Sequence, residues 1–317
     1  MLLVCVIFQL LCIAKFSDAK QYPDWVIRSG ASFDDTSPPT MRMSTNLATF
    51  ADVAEEEYKN IYGGTDGEKI DLLEKFFWGM EYGTIIELGA LDGGKASHSQ
   101  SELFENFHWK RVLLEGNPTH RDGLMKHVNA FSANIVVCKQ DMVHYAIGHV
   151  PMASGIVEFM APTFMGQFHK TLYKEAGSTG TFNVSSINWN SDRISSLNIL
   201  KVPCVSIDKV LTTIGLTHVN AFILDVEGAE TDVLESIDFS RVKFDVLVIE
   251  KNHHKRILNF FENHPEYVHL ANRGRNFWYK HVDFVPSSRP GVDKNCYRGA
   301  VKAGIPGANK GNHCKKD

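Results

Sequence analysis

The chain has 317 residues, 44% of them hydrophobic and 22% charged, with a formal net charge of -4. That length buries an ample core, as one large domain or two small ones. The mildly acidic balance gives no field that would attract nucleic acid or an anionic membrane surface, so neither is expected as a partner.

The chain opens on an apolar run of 14 residues, "MLLVCVIFQLLCIA", closed by Lys15. A membrane-spanning helix needs about 20 apolar residues, so no stable span is expected. The run has the length of a signal-peptide core, and Ser17-Asp18-Ala19 forms a small-x-small cleavage site. This predicts a signal peptide over residues 1–19 and a secreted or secretory-pathway location (endoplasmic reticulum or Golgi). Cys5 and Cys12 belong to that segment, which leaves Cys138, Cys204, Cys296 and Cys314. In an oxidising compartment they allow two disulfides, and Cys138–Cys204 with Cys296–Cys314 is the preferred pairing. No C-x-x-C spacing supports a zinc or redox site, and no metal ligands are expected. The sequon Asn183-Val184-Ser185 lies in a polar stretch that reads as a surface loop, compatible with glycosylation.

Residues 20–65 carry Pro23, Pro38, Pro39 and many small polar residues, and read as an irregular extension with one helical patch, "NLATFADVAEEEYKNIY". A domain over residues 66–285 begins with "EKIDLLEKFFWGM", where Ile70, Leu73, Phe76 and Phe77 recur at helical spacing. From Thr84 strands and helices alternate. "TIIEL" is a strand, "SQSELFENF" a helix, "RVLLE" a strand, "THRDGLMKHVN" a helix and "ANIVVC" a strand. After an interruption come "NAFILDV", "AETDVLESI", "FDVLVIE" and "KRILNFFENH", again strand and helix in turn, and "YVHLA" and "NFWYKHV" are the last strands. Short apolar runs separated by helical patterns imply βαβ units. The fold class is therefore α/β, a Rossmann-like, mostly parallel seven-stranded sheet with helices on both faces. The interruption, about 151–200, is rich in Gly, Ser, Thr and aromatic residues and reads as an insertion or lid. Residues 286–317 read as a flexible basic tail ending in "NKGNHCKKD".

The chemistry concentrates at predicted strand tips. "TIIELGALDGG" ends a buried strand on Glu87 and Leu88, then turns through Gly89, Gly93 and Gly94. In an open α/β sheet ligands sit beyond the carboxyl ends of the strands, and glycines let the backbone come close to them. Glu115 at the second strand tip can accept the two hydroxyls of a ribose. The turn is neither G-x-G-x-x-G nor a P-loop, so a nucleoside without pyrophosphate is expected. S-adenosylmethionine fits: a ribose for Glu115, with an ammonium and a sulfonium for carboxylates such as Glu87, Asp92 or Asp225. "FILDVEGAETDVLESI" places Asp225 and Glu227 at a third strand tip. No G-x-S-x-G elbow supports an α/β-hydrolase.

Through "IIELGALDGG", "VLLEGNP", "YAIGHVPMASGIVEF", "VPCVSIDKVL", "FILDVEGAETDVL" and "VLVIEKNH", the chain resembles the FkbM-type S-adenosylmethionine-dependent methyltransferases over roughly Gly83 to Tyr279. It is most similar to the eukaryotic secretory branch that includes the animal Star proteins. The resemblance implies that Glu87, Gly89 and Asp92 hold the methionyl part of the cofactor and Glu115 its ribose. Ala90, Gly93 and Asn117 join the expected cofactor contacts, Ala146 and Ile147 flank the adenine, and Asp225 and Glu227 lie beside the methyl group and the acceptor. Where relatives often have Ser-Asn-Thr, this chain has Ser97-His98-Ser99.

The activity expected is O-methylation of a hydroxyl on a glycan or small metabolite. A base must reach the acceptor oxygen. His253, just past a strand in "IEKNHH", is the first candidate, because a neutral imidazole suits that task; Asp225 and Glu227 are the others. Phe159, Phe164, Phe168, Trp189 and Trp278 are candidates for a sugar-binding wall. The alternative is a non-catalytic, Star-like factor of the secretory pathway that binds a client protein.

Overall fold

The computed structural model describes residues 23–28, 40–60, 66–94, 97–99, 104–150, 152–177, 180, 182–273 and 275–292. The expected signal peptide and the Cys296–Cys314 pair lie outside them. Among the described residues no helix is long and apolar enough to cross a membrane.

In chain order the first elements are strands β1 (Val26–Arg28) and β2 (Arg42–Met43), helices α1 (Leu47–Asn60) and α2 (Asp66–Lys75), and strands β3 (Met80–Glu81), β4 (Thr84–Leu88) and β5 (Lys110–Glu115). Then come helix α3 (Arg121–Leu124), strands β6 (Ala130–Asn134), β7 (Val136–Val137), β8 (Met142–Ala146) and β9 (Gly155–Ile156), and helices α4 (Pro162–Phe168), α5 (Lys170–Ala176) and α6 (Asp192–Ser195). The last stretch runs β10 (Ile199–Val205), α7 (Ile207–Ile214), β11 (His218–Leu224), α8 (Glu230–Leu234), β12 (Lys243–Glu250), α9 (His254–Glu262), β13 (Tyr267–Arg273) and β14 (Asn276–His281).

The main sheet is mixed and has eight strands, in the order β1-β6-β5-β4-β11-β12-β14-β13. The expectation of a mostly parallel seven-stranded sheet is corrected in two ways. Only β6, β5, β4, β11 and β12 run parallel to one another; β14 is antiparallel between β12 and β13, and β1 adds an antiparallel edge on β6. An apolar run carries no direction, and a three-residue strand such as β1 is too short to give a pattern.

Both faces of the sheet are covered, which is why its strands read as unbroken apolar runs. Ile86, Phe222, Leu247 and Ile249 pack on one side, together with Val210 and Leu211 of α7, Val233 of α8 and Ile257 of α9. Ile85, Ile223, Val246 and Val248 pack on the other, against Leu72 and Leu73 of α2 and Phe50 and Ala54 of α1. The helical patch of the N-terminal extension is thus a part of the core. Residues 287–289 are held to α2 as well: Ser287 exchanges main-chain hydrogen bonds with Trp78 and Phe76, and Arg289 pairs with Glu74 at 2.8 Å.

The chain leaves β4 toward β5 and β6 on one side, then returns to β11 on the other. That reversal opens a crevice beyond the carboxyl ends of β4 and β11. A second, four-stranded sheet, β7-β10-β8-β9, stands over it with α4, α5 and α6, which share an apolar core around Met160, Met165, Leu172 and Ile194. The expected strand "ANIVVC" is divided between the two sheets: Ile135, between β6 and β7, donates its N–H to Glu115 O at 2.9 Å. The Cys138–Cys204 disulfide, as expected, closes this junction.

Candidate active site

A cavity of about 670 Å³ fills the crevice. Its polar wall includes His98, Glu115, Tyr145, Asp225, Glu227, Asn252 and Arg275; its apolar wall includes Ile135, Val137, Ile156, Met152, Phe164 and Phe168, all but Ile135 from the cover or the loop that enters it. The acids of the second and third strand tips therefore do share one pocket.

Glu115 ends β5 and is 4% exposed. The turn after β4 folds over it: Gly89 and Ala90 donate to Leu114 O, and Leu91, at φ +51°, donates to Glu115 Oε2 at 2.9 Å. Asn117 N–H donates to Glu115 Oε1 at 2.6 Å. Burial pushes the Glu115 carboxyl up to about 7, against the two amide donors, with the nearby charge of Glu87 adding to the rise. A carboxyl that lines a cavity with spare lone pairs is suited to a pair of hydroxyls.

Glu87 does not line the cavity. Its side chain follows Ile85 to the face covered by α2 and is 0% exposed. There it accepts hydrogen bonds from Ser97 Oγ (2.5 Å), Ser99 Oγ (2.6 Å), and the main-chain N–H groups of His98 (2.6 Å) and Ser99 (2.9 Å). Four donors satisfy both oxygens, so Glu87 anchors the segment behind the site. Gly89 does reach the cavity, but its neighbour there is protein: a Cβ would stand 1.9 Å from Asp225 O. Ala90 is buried among Leu113, Leu124 and Ala130. Asp92 is exposed and accepts from Gly94 N–H, and the Gly93 carbonyl accepts from Arg111 at 2.9 Å. Asn117 caps the turn at Pro118–His120 and donates to Ser154 of the cover at 3.1 Å. Ala146 lies in the core of the cover, and Ile147 packs beside it. None of Glu87, Ala90, Asp92, Gly93, Asn117, Ala146 and Ile147 is among the residues lining the cavity.

The third tip carries most of the charge. Asp225, Glu227 and Glu250 each bring one carboxylate oxygen within 4.8 Å of the others. Arg275, from the β13–β14 turn, is the cation that meets them: it pairs with Glu250 and lies 3.8 Å from Glu227 Oε2. Burial and the charge of Asp225 push Glu227 up to about 8, against the pull of Arg275. Burial also raises Glu230 to about 7 and Glu250 well above the ordinary range. Asp225 goes the other way. Burial alone would raise it, but contacts with His98, Glu250 and Arg275 hold it below the usual carboxylate value. Like charges this close oppose one another's ionisation, which holds Glu227, Glu230 and Glu250 above the ordinary carboxylate range while Asp225 stays below it. Glu227, at φ +57°, keeps Oε2 buried and free of hydrogen bonds.

His253, the first base candidate, stands just before α9. It is absent from the cavity lining, and its Nε2–H donates to Phe159 O of the cover at 2.9 Å. Of the aromatic candidates, Phe164 and Phe168 line the cavity; Trp189 stacks on His144 with ring centres 3.6 Å apart, and Trp278 is core, stacked on Phe76. Sequence reasoning missed Arg275, Asn252, Tyr145 and His98. Asn252 bridges Glu250 (2.5 Å) and Glu230 (3.3 Å), and Tyr145 bonds to Glu115. The one signal for them was the histidine in Ser97-His98-Ser99, at a position where the resemblance led one to expect asparagine.

A family model described as the methyltransferase FkbM domain matches residues 109–277, more than half of the chain. No curated protein matches. A solved structure, precorrin-6y C5,15-methyltransferase from Geobacter metallireducens GS-15, is similar at 13% identity over 82% of this chain and 97% of that one, with a TM-score of 0.27. A likeness that slight carries no argument.

Proposed function

Because this chain belongs to the methyltransferase FkbM domain family, we propose that it transfers a methyl group from S-adenosylmethionine to a hydroxyl of a glycan or small metabolite. The observation that carries the reading is a shared cavity at the strand reversal, with Glu115 in its wall together with Asp225 and Glu227. The donor set fits the cofactor: a carboxyl for two ribose hydroxyls, an acidic cluster for two positive charges, and an apolar wall for a base. Bound there, the cofactor supplies a methyl group that an oxygen nucleophile can take from sulfur.

The chain's own residues do the rest. Glu115 accepts the ribose hydroxyls. Asp225, the carboxylate of the cluster, provides the counter-charge. Glu227 is the base: its Oε2 has no hydrogen bond to give up, and a carboxyl near 8 is well matched to removing a hydroxyl proton near neutral pH. Positive charge arriving beside it favours its ionised form. Phe164 and Phe168 give the reacting oxygen an apolar wall.

A secretory location is supported by the Cys138–Cys204 disulfide and by the exposed sequon residue Asn183. The deciding experiment is calorimetric titration with S-adenosylmethionine, followed by a labelled-methyl transfer screen against glycan, lipid and protein fractions. Binding that is lost in Glu115→Ala, with label in a glycan or metabolite fraction, is expected. No binding to the intact chain would favour the client-binding alternative.

A further inference from the structure

His98 is a titratable member of the cavity wall to which the methyl-transfer reading gives no task. It is 5% exposed. Its ring lies between two carboxylates: Nδ1 is 2.9 Å from Glu68 Oε2 on α2, and Nε2 is 3.5 Å from Asp225 Oδ2. Its main chain is pinned as well, because its N–H donates to Glu87 Oε1 at 2.6 Å and both flanking serines bond the same carboxylate. Glu68 in turn accepts from Asn276 at the start of β14. A line of polar contacts thus runs from α2 through the ring to the tip of β11, and its last member faces the cavity.

We propose that His98 is the positioning residue of this site: an imidazolium clamped by Glu68, it holds Asp225 in place and in its carboxylate form. The proposal rests on the methyl-transfer reading for what Asp225 then does, not for the clamp itself. The ring is faced by Glu68 from α2, Glu87 from β4 and Asp225 from β11. Asp225 is further faced by Glu250 from β12, by Glu227 and Glu230 after β11, and by Arg275 from the β13–β14 turn. Burial would drive His98 neutral; the close approach of Asp225 and Glu68 to the ring nitrogens and the charges of Glu68 and Glu87 outweigh it and raise the ring well above its ordinary value. Nδ1 and Glu68 Oε2 meet as an ion pair and not as an aligned hydrogen bond. The exposed side of the cluster has its cation in Arg275, and the buried side has its own in His98. Choosing Asp225 as the ionised member leaves Glu227 protonated at rest, so two neighbouring acids take separate roles.

The test uses the full chain with His98→Gln and Glu68→Gln. Glutamine can still donate toward Asp225 but carries no charge. In nitrogen-labelled histidine spectra, the His98 signals are those lost in His98→Gln. The ring is expected to be doubly protonated at pH 7, and Glu68→Gln is expected to lower its midpoint by about one pH unit or more. S-adenosylmethionine affinity is then measured by calorimetry from pH 3 to pH 8. In His98→Gln its acid limb is expected to move up by about one pH unit, since an opposite charge at this range typically lowers an Asp by one to three. A packing role would weaken binding equally across the range, and that result would overturn the proposal. A neutral ring at pH 7, or a midpoint untouched by Glu68→Gln, would do so too. If His98→Gln does not fold, Glu68→Gln with the ring still present carries both measurements. Should the unaltered chain bind no S-adenosylmethionine, the methyl-transfer reading fails, and the spectra alone decide the role of His98.

Discussion

A Cβ on Gly89 would stand 1.9 Å from the carbonyl oxygen of Asp225. The tips of β4 and β11 therefore meet through bare backbone: Asp225 N–H donates to Leu88 O at 3.2 Å, and Gly89 turns away at φ +81°. This contact brings the first turn and the acidic cluster to one crevice. Gly89→Ala should cost about 3 kcal/mol or more, because the clash is with main chain and the φ is unfavourable for any L side chain. Chemical denaturation measures it. A loss under about 1 kcal/mol would mean that the tips can part freely.

The proposed mechanism exchanges His253, the first base candidate, for Glu227. Glu227→Gln should lower kcat by about 10² to 10⁴ and also weaken cofactor binding above pH 7, because the amide cannot ionise beside the cofactor's positive charge. His253→Gln should keep most of the activity and the original pH profile, since the amide can still donate to Phe159 O. His253→Ala should cost about 1 kcal/mol of stability through that hydrogen bond. Steady-state kinetics across pH separates the two. A flattened pH profile in His253→Gln would restore it as the base.

The reason for that exchange is physical. The central strands were readable because a strand buried on both faces shows as an unbroken apolar run, as in Ile85 and Ile86 or Val246 to Ile249. Acids at the ends of such runs were readable as well. What each candidate side chain touches was not, because the partners come from other elements: Glu87 meets Ser97 and Ser99 beyond its turn, Glu227 meets Arg275, and His253 meets Phe159, 94 residues away. Strand tips tell where chemistry gathers. Only the packing of α2 and of the cover decides which side of the tip each carboxylate faces, and so Glu115 stayed in the pocket while Glu87 left it.

Cys138–Cys204 closes a loop of 66 residues that contains most of the cover. Cross-linking a loop of that size restricts the unfolded chain, by about 3 to 5 kcal/mol in the loop-closure account. Cys204→Ser should therefore lower the denaturation midpoint, with a loss of about 2 to 5 kcal/mol, and reducing agent should do the same to the unaltered chain. Cofactor affinity should fall with it, because the junction carries Val136 and Val137 of the cavity wall. Equal stability with and without the bond would show that the cover is held by its apolar core alone.

Proton linkage follows from the raised carboxyls. Glu115 and Glu230 near 7 and Glu227 near 8 keep protons in the folded chain that the unfolded chain releases near 4.5. Their contribution to stability is complete below about 4.5 and is lost as pH rises through 7 to 8. His98, also raised, adds the same sign: its contribution is present below 6.5 and fades as pH passes its higher folded value. Asp225, lowered, opposes this only in the acid range, below 3.8. The free protein should accordingly lose Tm between pH 5 and pH 9. Each pH unit that separates a group's folded and unfolded titration midpoints is worth about 1.4 kcal/mol before neighbouring groups compensate. The sulfonium of the cofactor beside Glu227 favours its ionised form, so S-adenosylmethionine binding at pH 7 should expel a proton. Calorimetry in phosphate and in Tris, whose ionisation heats differ, reads that proton directly. Identical heats in the two buffers would place the positive charges of the cofactor away from Glu227, and Glu227 could not then be the base.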